Sequence, residues 1–535
     1  MTAEPAVALT PRIAPLTLKQ SQQFTTPAGV QVNWSVDGIA GGNTTVGTIS
    51  SSGLYVPPQT AGVHTVSAAS VDNPGNTASA VAAVTDLSGI YTFHNDLART
   101  GQNLQEYALT PANVSGGQFG LRWTCPVDGD IQGQPLYAAN FAIGGGTHNV
   151  LFVTTEHDSI YAIDADSPSC VTYWHVSVLT AGARTATYTD LGGCNDVPEM
   201  GITGSPVMDP TTSTLYFVAE TVENGTFYQR LHALNLTTGA EQSGSPVVIQ
   251  ASLTNNAGTA VTFNAEWQNQ RPALALYGGG VFIGWASHCD VNTWWGWEMR
   301  YDASTLAQTT VFNVTPNGSA GGIWMSGGAP AFDSAGKMFL TTANGTFDDS
   351  SDTVPPVVPN NDFSMSFLNL NPATLLVQDY FTPTGEAVWS SRDFDVGSAG
   401  VTVLPDGAGP TAHPNLVVSA DKQSHLWLVD RTDMGRFSTI MDSSVQSLTL
   451  PLASQCPGNC VFDSPGYYNG TVYIAPSSCP LMALPLTSGL FPTTAQSIAI
   501  PSSLSADIYN YPGPTPSITA SPSGNAIVWV LDNSL

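Results

Sequence analysis

Charge is scarce in this chain, and positive charge is scarcest. Of 535 residues only 10% are charged, with 13 Lys plus Arg against 40 Asp plus Glu, for a net charge of −27. Such an acidic surface repels phosphate backbones and anionic lipid headgroups, so neither nucleic acid nor a membrane surface is an expected partner. No apolar run approaches the roughly 18 residues of a membrane helix, so no membrane insertion is expected. The first 18 residues have neither a basic start nor a continuous apolar core, and no signal peptide is visible. Long amphipathic helical periodicity is missing. So are GxSxG, HExxH and phosphate-loop motifs, and so is the CxxC spacing that zinc sites favour; no metal set is expected.

What the chain does contain is punctuation. Gly (51) and Pro (38) are dispersed between short apolar runs, the pattern of strands and turns. With few charges, the polar surface must be built from Ser, Thr, Asn and Gln, as suits a protein that is secreted, on the cell surface or periplasmic, its signal already trimmed. Seven cysteines stand at 125, 170, 194, 289, 456, 460 and 479, an odd number that leaves at least one thiol unpaired. Cys170 and Cys194 border one polar, Gly-containing connection, and a disulfide between them is expected; two buried thiols are the alternative reading.

The pattern divides the chain in two, and both parts are all-β. Residues 1–88 carry alternating strands: LTLKQSQQF, VQVNWSVDG, VGTISSSGLYVPP, HTVSAASV and ASAVAAVT. Trp34 sits in strict alternation and is read as a core anchor, not as a sugar-stacking platform. In residues 89–535 one apolar strand recurs, starting at residues 151, 215, 281, 338, 416, 472 and 527. Intervals of 55 to 78 residues suit four-stranded units with long loops. A strand marked by a small residue and proline, or by glycines, precedes it, as in GQPLY, GSPVMD, QRPALAL, GAPAFD and PTPSITA. A third strand follows and ends at Asp164, Asn235, Asp302, Asn371 or Asp430, side chains able to bond their own backbone two residues on.

Residues 1–88, through NWSVDG, the GGN turn and TISSSGLYVPP, resemble bacterial immunoglobulin-like domains. SIYAIDADS with Trp174 after it resembles the pyrroloquinoline-quinone-like propeller repeat, and HNDLARTGQN and VPEMGITGSPVMD resemble a secreted bacterial branch of that family. The resemblance implies a quinoprotein-type β-propeller with eight blades in the full ring, of which about seven are visible. It also implies that GLRWTCPVDG, from Gly120, is an outer strand that completes the final blade. Since the blade at residue 527 lacks its third and outer strands, a C-terminally truncated, unclosed ring is expected. Quinone-holding relatives use adjacent cysteines as a disulfide lid, a tryptophan floor and a calcium site of Glu, Asn and Asp. Here the nearest cysteines are Cys456 and Cys460, so although Glu199, Asn344 and Trp324 could supply pieces, neither pyrroloquinoline quinone (PQQ) nor calcium is expected.

In an antiparallel meander, the loop after each second strand and the loop entering each inner strand emerge at one face, around the central channel. The first set offers Glu156, His157, Asp158, Glu220, His288, Asn344, Asp421 and Lys422. The second offers Asp196, Glu199, Trp267, Asn269, Arg271 and Trp324. Carboxylates, a histidine, a guanidinium and indoles in one funnel suit a polyol, a sugar or a carboxylate ligand. Pairing between strand-end charges is the structural alternative. His94, Asp96 and Arg99 are expected to clamp the chain as it enters the propeller. NGTFDDSSD from Asn344 has oxygen ligands but no calcium-loop spacing. Two functions are carried forward. One is a non-catalytic binding or scaffold protein for a small polar molecule, a glycan or a protein partner. The other is an enzyme acting on a carbohydrate or small polar substrate at the channel mouth, for which Glu156 and Glu199 are candidate paired carboxylates. A funnel gathering His157, Glu199, Arg271 and Lys422 favours the enzyme; these residues paired off favour the binding protein.

Overall fold

Alternation places Leu16, Phe24, Trp34, Val36, Tyr55, Val66 and Val84 on inward faces, and they form one core between two sheets. A computed structural model of the protein describes residues 5–193, 197–348, 361–451 and 460–532. The first sheet orders its strands Ile13–Thr17, Thr77–Thr85, Gly62–Ser70, Val32–Val36 and Ile39–Ala40; the second orders Gln22–Gln23, Leu54–Val56, Gly47–Ile49 and Gly42–Asn43. Trp34 is 8% exposed within that core, as its alternation requires. The sandwich is tied to the next unit by side chains: Asn140 accepts from the Thr17 hydroxyl and the Lys19 amide, and Gln20 donates to Asp166.

From Gly89 onward, each recurrence of the apolar strand lies within a sheet of its own, and seven such sheets follow in succession among the described residues. The second strands are Gly146–Thr154, Thr214–Glu223, Gly280–Ser287, Met338–Thr341, Leu416–Ala420, Thr471–Ile474 and Gly524–Trp529. Each pairs antiparallel with an inner strand before it. We refer to these sheets as blades one to seven. The hydrophobic clusters lie between blades and not within them: Leu136 and Phe152 of the first pack on Leu215 and Phe217 of the second. Tyr216 of the second shares a cluster with Trp285 and Trp297 of the third. Parallel clusters join three to four, four to five and five to six. A sheet cannot bury both faces alone, so stacking supplies the core.

The five Asp and Asn residues at third-strand ends act as their chemistry predicts. Side-chain oxygens of Asp164, Asn235, Asp302, Asn371 and Asp430 accept the amide two residues on, at 2.9, 2.9, 3.0, 2.9 and 2.9 Å in turn. Residues 91–101 then do what no strand does. They run through the assembly as an axial segment whose carbonyls receive one amide from an inner strand of each of five blades. Met208 donates to Tyr91, Phe332 to Leu97, Val403 to Ala98, Tyr467 to Thr100 and Ile518 to Gly101. Phe93 packs on Ala273 of the loop entering blade three. His94 bonds the Pro516 carbonyl, and fully buried Arg99 donates to the Pro330 and Phe93 carbonyls and the Thr92 hydroxyl. The clamp expected of this motif is therefore a hub for the inner edges, which would otherwise expose unpaired backbone groups.

Two expectations are corrected. Cys170 is bonded to Cys125, not to Cys194, which lies outside the described residues. The segment around Cys125 runs alongside blade one, where Asp128 accepts from the Thr155 and Ser159 hydroxyls, so the spatial neighbour of Cys170 lies 45 residues upstream. For the same reason residues 120–129 form no strand. Blade seven instead takes Gln102–Asn103, which pairs parallel with Ser517–Ser521, and the Phe119 ring lies 5.2 Å from that of Trp529, tilted by 44°. Gln102–Asn103 brings the exit of the axial segment onto the inner side of this sheet, and the far edge, Gly524–Trp529, carries no further strand among the described residues. Cys289 and Cys479 each also belong to a disulfide, and Cys460 is a free thiol.

Candidate functional site: the channel mouth

The loops after second strands and before inner strands bring most of the singled-out residues to one face, in two groups. The first belongs to blades one to three. His157, half exposed in the turn after Gly146–Thr154, contacts Glu199 through Nδ1 at 2.9 Å, and Glu199 also accepts from the Thr185 hydroxyl at 2.6 Å. Glu156, one residue earlier, points inward and is fully buried; one oxygen accepts from the Gly201 amide and the Thr203 hydroxyl, and the other has no hydrogen-bond partner. Asp158 is buried with both carboxyl oxygens unpartnered. Glu220, inside its strand, lies 3.6 Å from His288 Nε2. Burial pushes the Glu156 carboxyl up to about 7 and also raises Asp158 and Glu220, since a carboxylate leaving water loses more than neighbouring dipoles restore.

The second group belongs to blades four to six and centres on Trp324. The Lys422 ammonium and the Arg271 guanidinium each lie 5.3 Å from its ring centroid, and Phe462 stands 6.0 Å away, itself against Tyr511. Lys422 pairs with Asp395 at 2.6 Å and Asp393 at 2.9 Å, while Asn344 donates its amide to Asp395 and its side chain to Asp393. Burial lowers the Lys422 pKa, but the two aspartates outweigh it and hold it above the ordinary value; burial raises Asp395. The turn carrying Trp324 is strained. Met325 and Ser326 both have left-handed backbone, φ 42° and 47°, a conformation that costs about 1 kcal/mol or more for each non-glycine residue. The Ser326 hydroxyl, bonded to the Ser398 carbonyl, helps to hold it.

Arg271 joins the groups. Besides facing Trp324, it lines a cavity of about 90 Å³ with Glu156, Thr203, Asn269, His288 and Cys289. It forms no ion pair with a carboxylate among the described residues. The Trp267 carbonyl accepts the His288 amide, and its own amide donates to the Asn264 carbonyl.

Other expectations move away from the mouth. Asp421 is fully buried and holds its own turn, accepting from the Gln423 and His425 amides and the Trp427 indole, so its carboxylate is engaged within the blade. Asp196 lies outside the described residues, as do residues 349–360, which include most of the acidic stretch after Asn344. Asp393, Asp395 and Phe462 were not anticipated. They precede the inner strands of blades five and six, SAGVTV and SPGYY, which lie outside the five inner strands marked in the sequence, and they obey the same loop rule.

No family model matches this sequence, and no curated protein matches it. Among solved structures, the quinohemoprotein alcohol dehydrogenase from Comamonas testosteroni superposes with a TM-score of 0.53 at 15% identity, over 83% of this chain and 70% of that one. Quinohemoprotein alcohol dehydrogenase ADHIIG from Pseudomonas putida HK5 gives 0.49 at 14% identity, over 74% of this chain. This chain spans 57% of the length of that enzyme. A europium-containing methanol dehydrogenase gives 0.49 at 13% identity, over 77% and 72% of the two chains. The Comamonas likeness shows the fold: the repeat region is a β-propeller of the quinoprotein type.

Proposed function

We propose that this protein binds a ring-shaped carboxylate, a sugar acid or an aromatic acid, at the channel mouth, and does so without acting on it. The observation that carries the reading is the arrangement of Arg271 and Lys422 beside Trp324. An indole offers a face to a ring, and a guanidinium without a carboxylate partner among the described residues is matched to a ligand carboxylate, with which it makes two parallel hydrogen bonds. Binding without catalysis is supported by the pairing of the other groups: His157 is held by Glu199, Lys422 by Asp395 and Asp393, and Asp421 by its turn. Disulfide Cys125–Cys170 supports work in an oxidising compartment, secreted, surface-bound or periplasmic.

The fold raises the question of a quinone held with calcium. Trp324, Asn344 and Asp395 lie together, which suits a stacked ring. The metal half does not fit: both Asp395 oxygens are engaged, by Lys422 and by the Asn344 amide, and two cations crowd the place where a divalent ion would need acids. Among the described residues no three His, Cys, Asp or Glu side chains converge for a metal. No chemical step is therefore assigned to that group.

Calorimetry with galacturonate, isophthalate and neutral galactose tests the proposal. Saturable binding of either acid, lost with galactose and weakened at least tenfold by Arg271→Gln and by Trp324→Ala, is the expected result; which acid binds separates the two ligand classes. Binding of galactose as tight as that of the acids would remove the role of Arg271. A second reading, an alcohol-oxidising enzyme, draws on the fold of the Comamonas enzyme and on the cluster of Trp324, Asn344 and Asp395. Stoichiometric quinone absorbance with dye-linked alcohol oxidation after reconstitution would favour it over the first.

A further inference from the structure

Blade seven differs from the other six at one edge. In blades one to six the second strand pairs antiparallel with a third strand on its far side. In blade seven that side of Gly524–Trp529 carries no strand among the described residues. We infer that a second copy of this chain covers it: two copies pair antiparallel through Gly524–Trp529, about a twofold axis at Val528, and the protein is a dimer.

Accessibility and charge mark this edge as an interface. Met338–Thr341 and Leu416–Ala420, the same strand in blades four and five, are buried throughout, whereas no residue of Gly524–Trp529 is buried. A strand edge presents a row of amides and carbonyls to any strand that can pair with it, and native proteins guard such edges with charged side chains or proline. Neither stands here. Residues 508–531 contain no Asp, Glu, Lys or Arg, and Gly524–Trp529 contains no proline. Apolar side chains extend the edge at both ends: Leu531 is 81% exposed, and Leu121, two residues beyond the Phe119 ring that lies beside Trp529, is 85% exposed.

Charge and symmetry select the occupant. A net charge of −27 makes one copy repel another over most of its surface, and this uncharged edge is where two copies approach with least repulsion. A partner strand with charges would have to desolvate them against Ile527 and Trp529, whereas the edge itself supplies an uncharged, β-branched strand. Ile527 and Trp529 share one face of blade seven, opposite Thr519 and Ser517, and Val528 lies on the other with buried Ile518. An antiparallel pair about a twofold axis perpendicular to the sheet sets residues of like face opposite each other. Centred on Val528, it matches Val528 with Val528, Ile527 with Trp529 twice, and Ala526 with Val530. Aromatic and β-branched side chains are favourable cross-strand partners. The contact is isologous: each copy covers the same edge of the other, so the assembly closes at two.

Sedimentation velocity of the full chain from about 1 to about 200 μM in about 0.3 M NaCl tests this. A mass that doubles and then stays constant is expected. Lowering NaCl to about 10 mM, which restores the repulsion between copies, is expected to weaken the dimer. Ile527→Lys and Val528→Lys are each expected to leave a monomer over the whole range, with near-UV circular dichroism confirming that they are folded. Cross-linking keeps the test open should a lysine variant not fold. In a Cys460→Ser background, Val528→Cys treated with copper phenanthroline is expected to give a covalent dimer, because the axis sets the two side chains opposite each other; Asn525→Cys, placed opposite Leu531, is not. A monomer throughout, a dimer that survives both lysine variants, a dimer strengthened by low salt, a mass that keeps rising beyond two copies, or a Val528→Cys dimer that does not cross-link would each overturn the inference.

Discussion

Glu156 is one atom pair away from being an ordinary structural residue. Two donors satisfy one oxygen, none reaches the other, and burial pushes the carboxyl pKa up to about 7, against an ordinary 4.5. A carboxyl whose folded pKa is raised binds its proton more tightly folded than unfolded. Its contribution is complete below about 4.5 and is lost as pH rises through about 7, by roughly 3 kcal/mol in all. Asp158 and Glu220 shift in the same direction. We therefore expect the thermal midpoint at low ionic strength to fall between pH 5 and pH 8, and Glu156→Gln to flatten part of that slope. A midpoint that rises over this range would show these carboxyls to be ionised in the folded protein. None of this was legible in the sequence: Glu156 and His157 are neighbours there, and only strand geometry turns one inward and the other to solvent. Asp421 misled for the related reason that a turn can consume its own acid.

At the scale of elements the sequence was more informative. Strand alternation, Trp34 and all five Asp or Asn turns follow from local rules that need no partner from elsewhere. Disulfide pairing did not follow, because Cys125 reaches Cys170 only through the path of residues 120–130 along blade one. The axial segment lies between these cases, since HNDLARTGQN announced a clamp but not its reach. Gly101 shows how tightly that segment is fitted. Its φ is +73°, and an added Cβ would land on the His94 imidazole. Gly101→Ala should cost about 3 kcal/mol, from the left-handed backbone and from displacing a buried hydrogen-bonded ring. Gly145→Ala, at φ +80° with open space around it, isolates the backbone share at about 1 kcal/mol. Equal losses in denaturant melts of the two variants would mean that the His94 contacts contribute nothing.

For the whole molecule, 40 acidic against 13 basic residues make self-repulsion a standing load on the folded state. Raising NaCl from about 10 mM to about 0.3 M shortens the screening length severalfold, and we expect the melting temperature to rise. A fall would mean that paired charges such as Lys422 with Asp395 outweigh the net field. The axial segment has a consequence of another kind, in time. During synthesis residues 91–101 emerge before any blade, yet His94 waits for Pro516, 422 residues later, to close its last bond. The spindle is laid first and the wheel is finished last. Contacts of such long sequence separation slow folding, because loop closure precedes the reward of the contact. A nascent chain stalled short of blade seven therefore carries a complete spindle in an incomplete ring, and its inner edges are open to whatever else in the cell can pair with them.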